Sequence, residues 1–117
     1  MRVIIAGSRT ITDRTRVFLA IKDARQLDNI RITTILSGGA AGPDTFGIEY
    51  AKKEGLPYEI YDADWDQYGK AAGPIRNQAM VDEADALILI WDGKSKGSKD
   101  VRHRAYMRNL KVHEVIL

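Results

Sequence analysis

The sequence predicts an α/β fold, a single domain in which a mainly parallel five-stranded sheet is flanked by helices. Three observations carry this expectation. Five short runs rich in β-branched residues alternate with helical patterns along the chain, the order expected of βαβ units. Gly-rich turns stand between apolar run and helix at 7–9, 37–44 and 92–98, where an α/β sheet places its ligand loops. A chain of 117 residues with 44% hydrophobic content suits one core.

The strands are expected at Arg2 to Ala6, Arg31 to Leu36, Tyr58 to Tyr61, Ala86 to Trp91 and Val112 to Ile116. The first helix starts near Thr12 or Asp13, both cap formers, and carries Val17, Phe18, Ile21 and Ala24 on one face. A second runs from Asp44 or Thr45 to a stop at Gly55, with Pro57 just beyond. Gly73-Pro74 precedes a third around Ile75 to Ala84, with Pro74 suited to a first helical position. The fourth lies between Ser98 and Asn109, turning Val101, Ala105 and one of Met107 or Leu110 inward. Ala63 to Gly73 is the only long irregular segment, a length that in compact domains often serves function.

Composition bounds the function. Eighteen basic against sixteen acidic residues leave a formal net charge of +2, too little for a general polyanion coat. The surplus is local: Lys94, Lys96, Lys99, Arg102, Arg104, Arg108 and Lys111 have only Asp100 among them. That stretch reads first as a solvated helix face and second as a nucleic-acid stripe. The absence of Cys removes disulfides, thiolate catalysis and cysteine zinc sites. With no signal-like or membrane-spanning run, a cytoplasmic protein without a membrane partner is expected.

The strand-end loops carry the candidate chemistry. Ser37-Gly38-Gly39-Ala40-Ala41-Gly42 would present backbone N–H groups and a helix end to a phosphate or ribose, or would simply make a tight turn. Asp44 reads first as the cap of the second helix, and otherwise as a ribose-hydroxyl acceptor or a carboxylate polarising water. Arg9, directly after Gly7-Ser8, can hold a phosphate in a bidentate fork. Arg76-Asn77 open a helix on the same edge, with a salt bridge from Arg76 to Asp82, Glu83 or Asp85 as the competing reading. Tyr68 is the better base-stacking candidate, Trp65 being equally suited to closing the edge of the core. Asp92-Gly93-Lys94-Ser95-Lys96-Gly97-Ser98 places small hydroxyl residues, glycines and lysines at a helix start, suited to phosphate, with Ser98 as a plain N-cap the alternative. Asp62, Asp64 and Asp66 lack His or a calcium-loop pattern and read as a solvated acidic loop, so no metal is expected. His103 and His113 lie in no ligand pattern.

In order along the chain, Gly7-Ser8-Arg9, Ser37-Gly38-Gly39-Ala40-x-Gly42-x-Asp44, Asp64-Trp65-x-x-Tyr68-Gly69-x-x-Ala72-Gly73-Pro74-x-Arg76-Asn77 and Trp91-Asp92-Gly93-x-Ser95-x-Gly97-Ser98 resemble the successive motifs of the YspA-type branch of the SLOG superfamily. That superfamily also groups DprA/Smf proteins and the LOG phosphoribohydrolases. The resemblance implies a Rossmann-like sheet whose strand-end loops bind nucleotides or nucleotide-derived ligands, with no required cofactor. Ser95 to Ser98 is similar both to the Ser-Gly-Ser segment of DprA and to the Pro-Gly-Gly-x-Gly-Thr segment of the hydrolases. The hydrolases follow that Thr with acidic residues, where this chain has Lys99-Asp100-Val101-Arg102. The expected function is therefore binding of a nucleotide-derived, signalling-type ligand. An N-glycosidase using Asp44, Arg76 and Asp100, and single-stranded nucleic-acid binding of the DprA type, stand as alternatives. Homo-oligomers occur among related proteins, and Tyr106 or Met107 would serve such a contact.

Overall fold

A computed structural model describes residues 1–117. Five strands, β1 (Arg2–Gly7), β2 (Thr34–Ser37), β3 (Tyr58–Ile60), β4 (Ala86–Trp91) and β5 (Lys111–Ile116), form one sheet in the order β3-β2-β1-β4-β5. Every pairing is parallel, with Val3 opposite Ile35 on one side and Ala86 on the other. The helices are α1 (Arg14–Leu27), α2 (Pro43–Glu54), a single turn α3 (Trp65–Tyr68), α4 (Ala72–Glu83) and α5 (Lys96–Met107). Chain order reverses between β1 and β4, so the loops after these two strands flank the crevice where such sheets take ligands.

Burial on both faces explains the unbroken apolar runs of the inner strands. All six residues of β4 are buried. Val3, Ile5, Ile35, Ile88 and Ile90 face one core with Val17, Ile21 and Ala24 of α1 and Tyr50 and Ala51 of α2. Ile4, Leu36, Leu87 and Leu89 face the other, against Met80 and Val81 of α4 and Val101 and Ala105 of α5. The period-2 alternation thus sorts each strand between two helical layers.

Several boundaries depart from the sequence reading. Residues 31–33 do not join β2, because pairing begins only at Thr34 opposite Arg2, and what precedes it runs past the start of β1. The start of α1 agrees with the sequence reading: of the two cap candidates Asp13 takes the position, its Oδ1 accepting from the N–H groups of Thr15 and Arg16. Gly73 and Pro74 lie inside the first turn of α4, where the missing proline N–H has no intrahelical partner to lose. The segment from Ala63 to Gly73 is not irregular throughout, since α3 and a 3₁₀ turn (Gly69–Ala71) occupy most of it. Met107 is not turned inward: it is exposed, as is Tyr106. No helix is long and apolar enough to cross a membrane.

Candidate functional site

The loops after β1, β2 and β4 open onto one cleft of about 700 Å³, within the size range of small-molecule sites. Ser8 joins two of its walls. Its buried hydroxyl donates to Ser95 Oγ at 3.1 Å and accepts from the Asp92 N–H at 3.0 Å, so the β1 and β4 loops are stitched across the crevice. Asp92 in turn accepts from the N–H groups of Lys94 and Ser95 at 2.8 and 2.9 Å, shaping the entry to α5. Those bonds hold the Asp92 carboxyl below the usual carboxylate range.

The β2–α2 loop is organised from within. Ser37 Oγ donates to the Asp44 carbonyl at 2.9 Å and accepts from the Gly39 N–H at 3.1 Å. Gly42, at φ +85°, supplies the positive-φ residue before the helix, a conformation a side chain would strain. Asp44 is not the cap of α2: Gly42 holds that position and Asp44 is the second helical residue. Its side chain is buried, and desolvation pushes its pKa up to about 6, while Arg76 and the N–H groups of Ala40 and Gly7 favour the charged form.

Arg76 pairs with none of Asp82, Glu83 or Asp85. Asp82 is taken by Gln78 and Arg108, and Asp85 accepts the N–H of Arg2. Instead Arg76 Nη1 donates to the Gly38 carbonyl at 2.9 Å, and Nε donates to Asn77 Oδ1 at 3.0 Å. Asn77 Nδ2 donates to Asp100 Oδ2 at 3.0 Å, which also accepts from Arg104 Nε at 2.9 Å. One continuous chain of bonds therefore ties the β2 loop to α4 and α5.

At the start of α5 the arrangement is different. Ser95 precedes the helix without a side-chain bond to its first N–H groups. Ser98 is 4% exposed and lines the cleft, and its Oγ is the one buried side-chain polar atom in the molecule with no hydrogen-bond partner. Such orphans are uncommon and require an explanation.

Of the residues nominated from sequence, Gly7, Ser8, Arg9, Gly38, Gly39, Ala40, Asp44, Trp65, Arg76, Asn77, Ser95, Gly97, Ser98 and Asp100 line this cleft. Ser37, Gly42, Tyr68, Asp92, Gly93 and Lys94 do not. Ser37 and Asp92 spend their side chains shaping the loops, and Tyr68 lines a neighbouring groove of about 230 Å³ with Tyr61 and Ile75. Of the two aromatic candidates, Trp65, 58% exposed, stands at the cleft while Tyr68 turns to the neighbouring groove. Asp62, expected only as part of a solvated acidic loop, and Lys70, which has no sequence expectation, also line the cleft. Applying the strand-end rule to β3 would have found Asp62; nothing local to Lys70 distinguishes it.

A parallel Rossmann-like sheet with a polar cleft at its reversal point defines the class, a nucleotide-related binding domain in the general sense. The chain belongs to the YspA, cpYpsA-related SLOG family, whose model matches residues 1–68. It is 33% identical over 117 residues to the Gene 61 protein of Mycobacterium phage D29, covering 95% of this chain and 93% of that protein. Its fold is similar to the X-ray structure of DNA processing protein A (DprA) from Streptococcus pneumoniae, with a TM-score of 0.69 at 20% identity. That match covers 96% of this chain and 48% of DprA, so the chain spans about half the length of that solved structure.

Proposed function

We propose that the cleft binds a nucleotide or nucleotide-derived ligand and holds it without rapid turnover, its phosphate on the N-terminus of α5 and its base against Trp65. The observation that carries this reading is Ser98, a buried hydroxyl without a partner beside helix N–H groups that no side chain caps. A helix N-terminus favours an anion, and a phosphate oxygen would satisfy both the hydroxyl and the amides. Arg9 and Lys96, with no carboxylate paired to either, line the same cleft and complement the charge. Native mass spectrometry of protein purified from its own cells, followed by calorimetry with any nucleotide released, tests the reading. Absence of a co-purifying nucleotide together with no heat from the four ribonucleoside monophosphates would remove it.

One observation favours the glycosidase alternative. Asp44 carries a carboxyl with a pKa pushed up to about 6 in the cleft wall, suited to moving a proton near neutrality. Against it, Asp100 is held by Asn77 and Arg104, and a ground-state phosphate contact does not by itself lower the barrier at a ribosyl carbon. Chromatography of AMP and NAD after prolonged incubation with stoichiometric protein decides between them. Free base released by the wild type but not by Asp44→Asn would establish the hydrolase.

The nucleic-acid reading gains less support. Arg102, Arg104 and Arg108 of the basic stretch are paired with Glu114, Asp100 and Asp82, which leaves mainly lysines to meet a phosphate backbone. A steep fall of oligonucleotide affinity with salt would revive it.

A further inference from the structure

The N-termini of α2 and α5 face the same cleft, yet only α5 lacks an anion of its own. On α2, Asp44 lies at the second helical position, buried, with the N–H groups of Gly7, Ala40 and Asp44 itself favouring its charged form. The Arg76 guanidinium lies beside it. A β-carbon built on Gly38 would fall 2.4 Å from Arg76 Nη1 and 2.9 Å from Asp44 Oδ2, so both groups crowd the same side of that glycine. A carboxylate placed there balances the helix dipole beside the N–H groups a phosphate would need, and a second anion would meet like-charge repulsion in a poorly solvated setting.

Such a pair suits a different partner. A carboxylate only accepts hydrogen bonds and a guanidinium only donates them, whereas a sugar hydroxyl does both. Two vicinal hydroxyls can donate to the Asp44 oxygens and accept from Arg76 without adding charge. Arg76 is already oriented by the Gly38 carbonyl and Asn77, which lowers the cost of meeting a ligand.

We infer that Asp44, backed by Arg76, is a specificity-determining residue that closes the β2–α2 loop to phosphate and selects a ligand bearing a ribose diol. This rests on the nucleotide reading of the cleft and deepens it: the phosphate seats at α5 while the sugar hydroxyls meet Asp44. Ribonucleotides are thereby distinguished from ligands lacking both hydroxyls.

The test compares AMP with 2′,3′-dideoxy-AMP by calorimetry on the unaltered protein, alongside GMP, CMP and UMP. A hydrogen bond to a charged group is worth roughly 1.5–3 kcal/mol, so the dideoxy analogue is expected to bind about tenfold to a hundredfold more weakly. In Asp44→Asn the gap is expected to shrink to about threefold or less, while Ser98→Ala weakens both ligands alike. If AMP binds and the dideoxy analogue matches it within about threefold on the wild type, the inference fails and the nucleotide reading stands. A gap that persists unchanged in Asp44→Asn overturns the assignment to Asp44. If none of the four monophosphates binds, the nucleotide reading falls and takes this inference with it. The analogue comparison needs no variant, so poor folding of Asp44→Asn leaves the test intact.

Discussion

Arg76 and Gly38 hold each other in place across the cleft: Nη1 of the arginine donates to the glycine carbonyl at 2.9 Å, and the same nitrogen lies 2.4 Å from where a β-carbon at position 38 would stand. The glycine is thus required by a side chain 38 positions away rather than by its own dihedral angles, since its φ is not positive.

Gly38→Ala should therefore fold and lose function. The atoms a methyl would strike are the ends of the Arg76 and Asp44 side chains, which can move aside. Displacing them breaks the bonds that orient Arg76. The expected outcome is wild-type circular dichroism with AMP affinity reduced at least about tenfold, the effect of losing one charge-assisted bond. Unaltered affinity in a folded variant would show that Arg76 orientation does not matter to the ligand.

Asp44→Asn is expected to stabilise the fold above pH 6. Burial raises the Asp44 pKa from 3.8 to about 6, so the folded state binds its proton more tightly than the unfolded state does. Stability contributed by the protonated carboxyl is full below about pH 4 and lost as pH rises through about 6. The shift corresponds to about 3 kcal/mol above that window, a net figure that already contains the attraction to Arg76. Thermal melts from pH 4 to 8 should show the variant gaining on the wild type as pH rises, and a constant difference across the range would refute the assignment.

Ser98→Ala separates stability from binding. Removing a buried hydroxyl that has no partner should leave the melting temperature unchanged or slightly raised. Loss of a hydrogen bond to a phosphate should weaken AMP about tenfold. Adenosine, which lacks the phosphate, should bind both proteins equally; a matching loss for adenosine would place Ser98 against another part of the ligand.

Trp65 offers an optical test of where the base lies. The other tryptophan, Trp91, is buried with its Nε1 donating to Glu114 at 2.7 Å, so a ligand-dependent fluorescence change should come from Trp65. AMP should shift the emission and ribose 5-phosphate should not. Trp65→Leu should cost AMP about 1–3 kcal/mol, the usual range for base stacking, and leave ribose 5-phosphate unaffected. Equal losses for both would assign the indole to packing against Gly73, which its Cη2 approaches to 3.2 Å of the β-carbon position.

By itself the sequence determined the elements and their alternation along the chain. Alternating apolar runs and helical faces are local patterns, and β4 emerges at Ala86–Trp91, the boundaries read from its unbroken hydrophobicity. The Gly-rich strand ends likewise located the cleft, because in a parallel sheet all such loops share one edge. What tertiary structure decided was the use of each side chain once the loops met. Asp44 became a buried carboxylate rather than a cap because Gly42 takes the cap position and Arg76 arrives from α4. Trp65 lines the cleft and Tyr68 the neighbouring groove, a placement that spacing does not reveal, because residues three apart share a helix face and only the packing of α3 against the rest of the fold sets what each one meets. Ser98 was expected at a phosphate-binding helix start, with a plain N-cap the alternative; that alternative falls because the helix begins two residues earlier, at Lys96, and leaves the Ser98 hydroxyl without a partner. Spacing along the chain fixes which edge a residue occupies, whereas long-range contacts decide whether its polar atoms are spent on the fold or left for a ligand.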